Sequence, residues 1–253
     1  MTSNPNDSTI VAQDYFWLLL ANFATLLNLL CGLAGIFYSL NKDISGAFQL
    51  LLLGAFFDLF DGKLAKKSNI KSSFGDYADS FADLMTFALL PGFMVLALDS
   101  ALWLGDIELV SKITLGQLFA GVYAVGGWYR LIRFSSKPTG NKFEGLPSPA
   151  AAMLIGSLTI VVVDPNLFTL PLNVILTIAI VATGLLMGSN IDYPSPKRMM
   201  QSDNTLITVA GIIGFFYVII PNVISAFLVV CISVFYTLAG PYYYFLTEKQ
   251  IQI

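Results

Sequence analysis

Asp58-Leu59-Phe60-Asp61-Gly62-Lys63-Leu64-Ala65-Lys66, followed after eight residues by Gly75-Asp76-Tyr77-Ala78-Asp79-Ser80-Phe81-Ala82-Asp83, is conspicuous for its surroundings. An apolar stretch at 46–66 ends in the first aspartate pair, and another at 75–99 begins with the second. Asp58 and Asp61 are three apart and Asp79 and Asp83 four apart, so each pair lies on one face of a helix. The short connection predicts antiparallel neighbours whose charged ends meet at one surface.

Composition sets the environment of these helices. Apolar residues make up 56% of the 253 and charged residues only 11%, against roughly 25% charged in soluble domains. So few charges cannot cover a water-exposed surface, and lipid must cover part of it. A net charge of −3 without a basic stripe excludes a nucleic-acid partner. The absence of histidine excludes His-based metal sites, Ser-His triads and imidazole acid–base chemistry. Cys31 and Cys231 both sit in apolar runs and are expected to be buried packing thiols rather than a disulfide.

Apolar stretches predict an all-α, polytopic transmembrane bundle of about eight spans, at 15–40, 46–66, 75–99, 113–134, 148–164, 171–189, 203–220 and 223–246. Residues 1–14 read as a polar tail without the basic start of a signal peptide. We read 1–253 as a single integral membrane domain. With an even number of spans, eleven of the thirteen basic residues fall on one side, leaving only Lys42 and Lys112 opposite. That bias makes the basic side cytoplasmic, with both termini and the aspartates on it, in the cell membrane. Tyr15, Trp17, Trp128, Tyr129, Tyr242, Tyr243 and Tyr244 stand at span ends, where interfacial aromatics anchor a bundle.

Four carboxylates converging in a small volume repel one another and are costly to desolvate. An oxygen-only donor set without His or Cys points to hard divalent cations: Mg²⁺ or Mn²⁺, with Ca²⁺ a third candidate. Two such ions balance Asp58, Asp61, Asp79 and Asp83. Gly62, Ala65 and Gly75 keep one wall free of bulk, as an approaching planar or polyphosphate ligand requires. Asp76 falls off the shared face and reads as a solvated charge.

At these residues the chain resembles the CDP-alcohol phosphotransferase family, whose signature is D-x-x-D-G-x-x-A-R, about eight residues, then G-x-x-x-D-x-x-x-D. Asp58, Asp61, Gly62, Ala65, Gly75, Asp79 and Asp83 match; Lys66 stands where the family has Arg, keeping the charge but losing the bidentate fork. Asn22 to Gly32, Arg130 to Phe134, Gly145 to Ala152 and Ser189 to Ser195 are similar to the serine-accepting branch, the CDP-diacylglycerol–serine O-phosphatidyltransferases. The resemblance implies a CDP-diacylglycerol-type lipid bound between the signature helices, with its diphosphate bridged by two metals. It implies that Asp83 takes the proton of the L-serine hydroxyl, that CMP leaves, and that a phosphatidylserine-type lipid remains. It also implies a homodimer.

Basic and polar residues nearby admit two readings each. Arg130 and Arg133, three apart where the fourth span leaves the membrane, either anchor it or bind the serine carboxylate or a phosphate oxygen. Thr25 and Asn28 in the first span either read the cytidine and its phosphates or hydrogen-bond between helices. Other acceptors, namely glycerol 3-phosphate, inositol phosphate or choline, remain alternatives, as does an ether-linked donor lipid. A divalent-cation transporter is a distant alternative, since such a site belongs near the bilayer midplane.

Overall fold

The computed structural model describes residues 5–68, 70, 72–98, 108–110, 113–136, 142–164, 172–194 and 223–251. Its first feature is a long helical hairpin. Helix α1, Pro5–Leu40, ends where Lys42 adopts φ +62°, and Asp43 then caps α2, Ile44–Ala65, by accepting from the Gly46 N–H at 2.9 Å. An Asx cap of this kind satisfies one of the orphan donors of a new helix. Ile44, Ala47, Phe48, Leu51, Leu52 and Ala55 recur at helical spacing along α2 and form its buried stripe.

The chain then turns back. Ser72 accepts from the Gly75 N–H and starts α3, Ser73–Asp83, with Asp76 in its first turn. The helix passes through a π-helical turn, Leu84–Leu89, and continues as α4, Leu90–Leu96. Packing of α3 is chiefly against α1. The span that α3 begins packs on α2 through the π-turn and α4, and α1 is a wall that both share.

Helix α5 covers Leu115–Ser136, α6 Ser148–Val163, α7 Leu172–Met187 and α8 Val223–Ile251. Helix α6 is apolar all round and buried along most of its length, as a central helix must be. It packs against α2, α4, α7 and α8, and the core about it includes Phe48, Phe87, Leu90, Met94, Tyr123, Ile155 and Ile180. Two short antiparallel ribbons were absent from the sequence reading: β1, Glu108–Val110, with β2, Ile113–Thr114; and β3, Lys142–Glu144, with β4, Asp192–Pro194. The second joins the segments that follow α5 and α7. The buried Tyr193 of β4 stacks on Tyr236 and donates to the Thr237 carbonyl, docking the ribbon on α8.

Among the described residues four helices are long and apolar enough to cross a membrane: Gln13–Leu40, Ile44–Ala65, Ser73–Leu96 and Ile224–Tyr242. Ser148–Val163 and Val174–Met187 are shorter apolar helices, and the expected span 203–220 lies outside the described residues. Phe16, Leu19, Phe23, Leu30 and Phe37 on α1, with Ile232, Phe235 and Leu238 on α8, point outward. Large apolar surfaces of this extent are what a membrane protein presents to lipid. Cys31 is buried, but Cys231, expected to be buried, is exposed on the outer side of α8, and neither is bonded. An apolar run in lipid can place a thiol outward at no cost, so hydrophobicity alone did not locate it.

Helices α5 and α7 touch backbone to backbone. A Cβ on Gly184 would lie 2.9 Å from Tyr123 Cα, and one on Gly126 would strike the Gly184 carbonyl. Small residues permit this approach where the apolar effect gives helices no net attraction. Gly184→Ala is expected to destabilise the fold by about 1–3 kcal/mol through overpacking, read as a lower thermal midpoint in detergent. Gly121→Ala, with open space at its Cβ, should leave that midpoint unchanged.

Candidate active site

Three carboxylates converge where α2 ends and α3 begins. Asp58, Asp61 and Asp79 each offer an oxygen, and these oxygens all lie within 4.8 Å of one another. The i, i+3 spacing places Asp58 and Asp61 on one face of α2. Asp61 is almost wholly buried, whereas Asp58 and Asp79 are partly so. Oxygen ligands of one hard cation at about 2.1–2.5 Å sit within about 5 Å of each other. The Asp79 Oδ1 is buried and has no hydrogen-bond donor. An all-oxygen donor set with an orphaned carboxylate oxygen fits a divalent ion.

Helix α1 supplies the groups that hold these carboxylates. Thr25 donates to Asp61 Oδ2 at 3.0 Å, and Asn28 Nδ2 donates to Asp83 Oδ1 at 3.2 Å. Both α1 residues are buried, Asn28 completely. Thr25 and Asn28 thus hydrogen-bond between helices, with the aspartates as acceptors. Asp83 is outside the three-oxygen cluster but within electrostatic range of Asp58, Asp61 and Asp79.

The small residues divide into two kinds. Gly62 is exposed and a Cβ there would meet open space, so the face beside Asp61 is unobstructed. A Cβ on Gly75 would come 3.2 Å from Asn22 Oδ1, so Gly75 lets the start of α3 approach α1. Ala65 and Lys66 are exposed at the end of α2, where Lys66 is the C-cap. Asp76 is exposed, in keeping with a solvated charge. Lys67 lies with its Nζ 4.5 Å from the Trp17 ring centroid, pinning the α2 exit to α1.

The two arginines occupy different settings. Arg130 is buried, donates to Ser148 Oγ at 2.9 Å, and is within electrostatic range of Asp83 and Asp58. Arg133, one turn on, donates to Asn190 Oδ1 at 2.9 Å and pairs with Glu144 at 2.8 Å. It therefore ties α5 to the segments around the β3–β4 ribbon. Glu144, Asn190 and Ser148 had no assigned role in the sequence reading. Their signal is tertiary: a charged residue in a short ribbon is uninformative until its arginine is placed beside it.

Residues 18–186 match the family model described as CDP-alcohol phosphatidyltransferase. The chain is 33% identical over 178 residues to a CDP-diacylglycerol–serine O-phosphatidyltransferase of Bacillus subtilis, covering 69% of this chain and 89% of that one. It is 28% identical over 215 residues to the Helicobacter pylori protein of the same name, covering 83% and 86%. An archaetidylserine synthase of Methanothermobacter thermautotrophicus is 28% identical over 200 residues, covering 78% and 77%. The matched region contains α2, α3, the aspartate cluster and both arginines, and the chain belongs to the CDP-alcohol phosphatidyltransferase family.

Proposed function

We propose that this enzyme transfers a phosphatidyl group from a CDP-diacylglycerol-type lipid to the hydroxyl of L-serine, releasing CMP. The observation that carries the reading is the convergence of Asp58, Asp61 and Asp79 beside an Asp83 held by Asn28. The activities for which the relatives are named support serine as acceptor, with either ester- or ether-linked lipid as donor.

Asp58, Asp61, Asp79 and Asp83 would hold two divalent cations, Mg²⁺ or Mn²⁺. Bound there, these ions would neutralise charge on the diphosphate and its leaving group. Gly62 and Ala65 leave room for the cytidine diphosphate, and Gly75 lets α3 close against α1. Lys66 sits at the mouth as a point charge for a phosphate oxygen. Asp83 takes the serine hydroxyl proton. The serine oxygen forms its bond to the lipid-side phosphorus as the bond from that phosphorus to the CMP oxygen breaks. Arg130, buried near Asp83, would steady the anionic centre, and Arg133 would meet the serine carboxylate by exchanging it for Glu144.

The membrane placement follows the chemistry. A diphosphate is water-soluble and acyl tails are not, so transfer belongs at the interface. The reading keeps about eight spans in a single domain over 1–253, both termini and the site on the cytoplasmic face of the cell membrane, and a homodimeric assembly.

Purified protein with CDP-diacylglycerol and Mn²⁺ or Mg²⁺ should release CMP when serine is added, and chelator should abolish it. Stimulation by glycerol 3-phosphate, inositol phosphate or choline instead would replace serine as acceptor, and no CMP with any alcohol would defeat the enzymatic reading. Asp83→Asn is expected to lower kcat by about 10²–10⁴, the usual worth of a general base, while equilibrium binding of the CDP-lipid persists. Arg133→Ala should raise the KM for serine at unchanged lipid affinity. Normal serine saturation would assign Arg133 to holding the ribbon alone.

A further inference from the structure

The helix carrying Asp79 and Asp83 changes its winding directly after Asp83. From Leu84 to Leu89 it is π-helical, and the Leu90 N–H reaches back five residues to the Met85 carbonyl. A π-turn holds one residue more than the α-helical ladder, so it rotates everything beyond it by about 100° relative to the part before it. Such turns are uncommon and need outside support. None of Leu84 to Leu89 is Gly or Pro, but Pro91 follows in the same helix and has no N–H to give the Phe87 carbonyl, so the α-helical ladder is already interrupted there.

The support comes from three neighbours. Thr86 is completely buried in a notch between two glycines. A Cβ on Gly32 of α1 would lie 2.5 Å from its hydroxyl, and a Cβ on Gly54 of α2 would lie 2.6 Å from its methyl. Its hydroxyl donates to the Asn28 carbonyl at 3.0 Å. On the far side, the buried Tyr123 hydroxyl donates to the Phe87 carbonyl at 2.9 Å. A Cβ on Gly127 would lie 2.7 Å from Ala88 Cβ, so α5 closes on the turn there. Asn28 thus grips this helix twice, by its side chain at Asp83 and by its carbonyl at Thr86.

We propose that Thr86 is a positioning residue for the reaction: seated between Gly32 and Gly54 and bonded to Asn28, it fixes the π-turn and so the placement of Asp83 against Asp58, Asp61 and Asp79. The inference deepens the proposed phosphatidyl transfer and rests on it for the kinetic part of its test. The hydroxyl sets the register between α1 and α3, while the methyl fills the Gly54 side of the notch. Thr86 does not reach the substrates; its effect passes through Asn28 to the Asp83 carboxylate.

The test compares full-length Thr86→Val, which keeps the shape and loses the hydroxyl, with Thr86→Ser, which keeps the hydroxyl. A misplacement of about 1 Å can cost up to about 10²-fold in rate. Thr86→Val is expected to lower kcat at least about 10-fold with both KM values within about 2-fold, the mark of a transition-state effect. Thr86→Ser should retain most of the rate. Mn²⁺ titration of the detergent-solubilised protein, followed by the electron paramagnetic resonance of free Mn²⁺, should show weaker binding in Thr86→Val only. Thr86→Val equal to wild type in kcat and Mn²⁺ affinity, or Thr86→Ser as impaired as Thr86→Val, would overturn the inference. If the wild-type protein releases no CMP with serine, the acceptor reading fails and the Mn²⁺ comparison alone decides Thr86. Tyr123→Phe supplies an independent variant should Thr86→Val not fold. It releases the Phe87 carbonyl and should lower kcat several-fold; an unchanged kcat with unchanged Mn²⁺ binding would overturn the role of the turn.

Discussion

Carboxylates held within 4.8 Å of one another at the edge of an apolar bundle repel, and that repulsion must be offset for the site to exist. Helix α1 supplies part of the answer. Thr25 and Asn28, one turn apart on a buried face, each give a hydrogen bond to an aspartate from a different helix. Hydrogen bonds to charged acceptors contribute about 1.5–3 kcal/mol each. They fix carboxylate orientation more than they neutralise charge. The remaining deficit is what hard cations are suited to remove, and the unpartnered Asp79 oxygen is where it shows most directly.

The same helix is the principal neighbour of both α2 and α3. Gly75 allows α3 to approach Asn22, and Gly46 allows α2 to turn in beneath Tyr38. Both aspartate helices are thereby referenced to α1 near the cluster, and to each other farther along, where Thr86 meets Gly54. Sites built on helices hold catalytic geometry better than sites on loops.

Much of this was legible in the residues. The apolar runs located the aspartate helices to within about three residues, an ordinary margin for helix ends, and the aspartate spacing placed each pair on one face. The role of α1 was not decidable, because Thr and Asn in an apolar helix read alike whether they face a ligand or another helix. The six residues of the π-turn are ordinary helix formers; the mark lies beyond them in Pro91, which cannot bond the Phe87 carbonyl, but a Pro alone does not say whether a helix ends, kinks or takes a π-turn. The tertiary contacts that hold the turn come from Gly32, Gly54 and Gly127 on three other segments. Arg133 was visible as a cation but not as the partner of Glu144, which follows it by eleven positions through a three-residue strand. Ribbons that short have too few residues to show an alternating pattern.

Small residues are distributed unevenly about the site, and the asymmetry has a mechanical consequence. On the membrane side of Asp83, glycines of α1, α2 and α5 meet the π-turn, and those of α5 and α7 meet each other, all at distances that leave no room for a Cβ. Backbone packed so closely cannot shift without a clash. On the other side, Gly62 faces open space and Ala65 and Lys66 are exposed. The bundle is thus tight beneath the carboxylates and open above them. On the proposed reading, a lipid with a soluble diphosphate head would present its reactive phosphorus from the open side, with its tails against the outward apolar faces. On that reading the floor beneath the phosphorus is held by helix–helix contacts below the carboxylates.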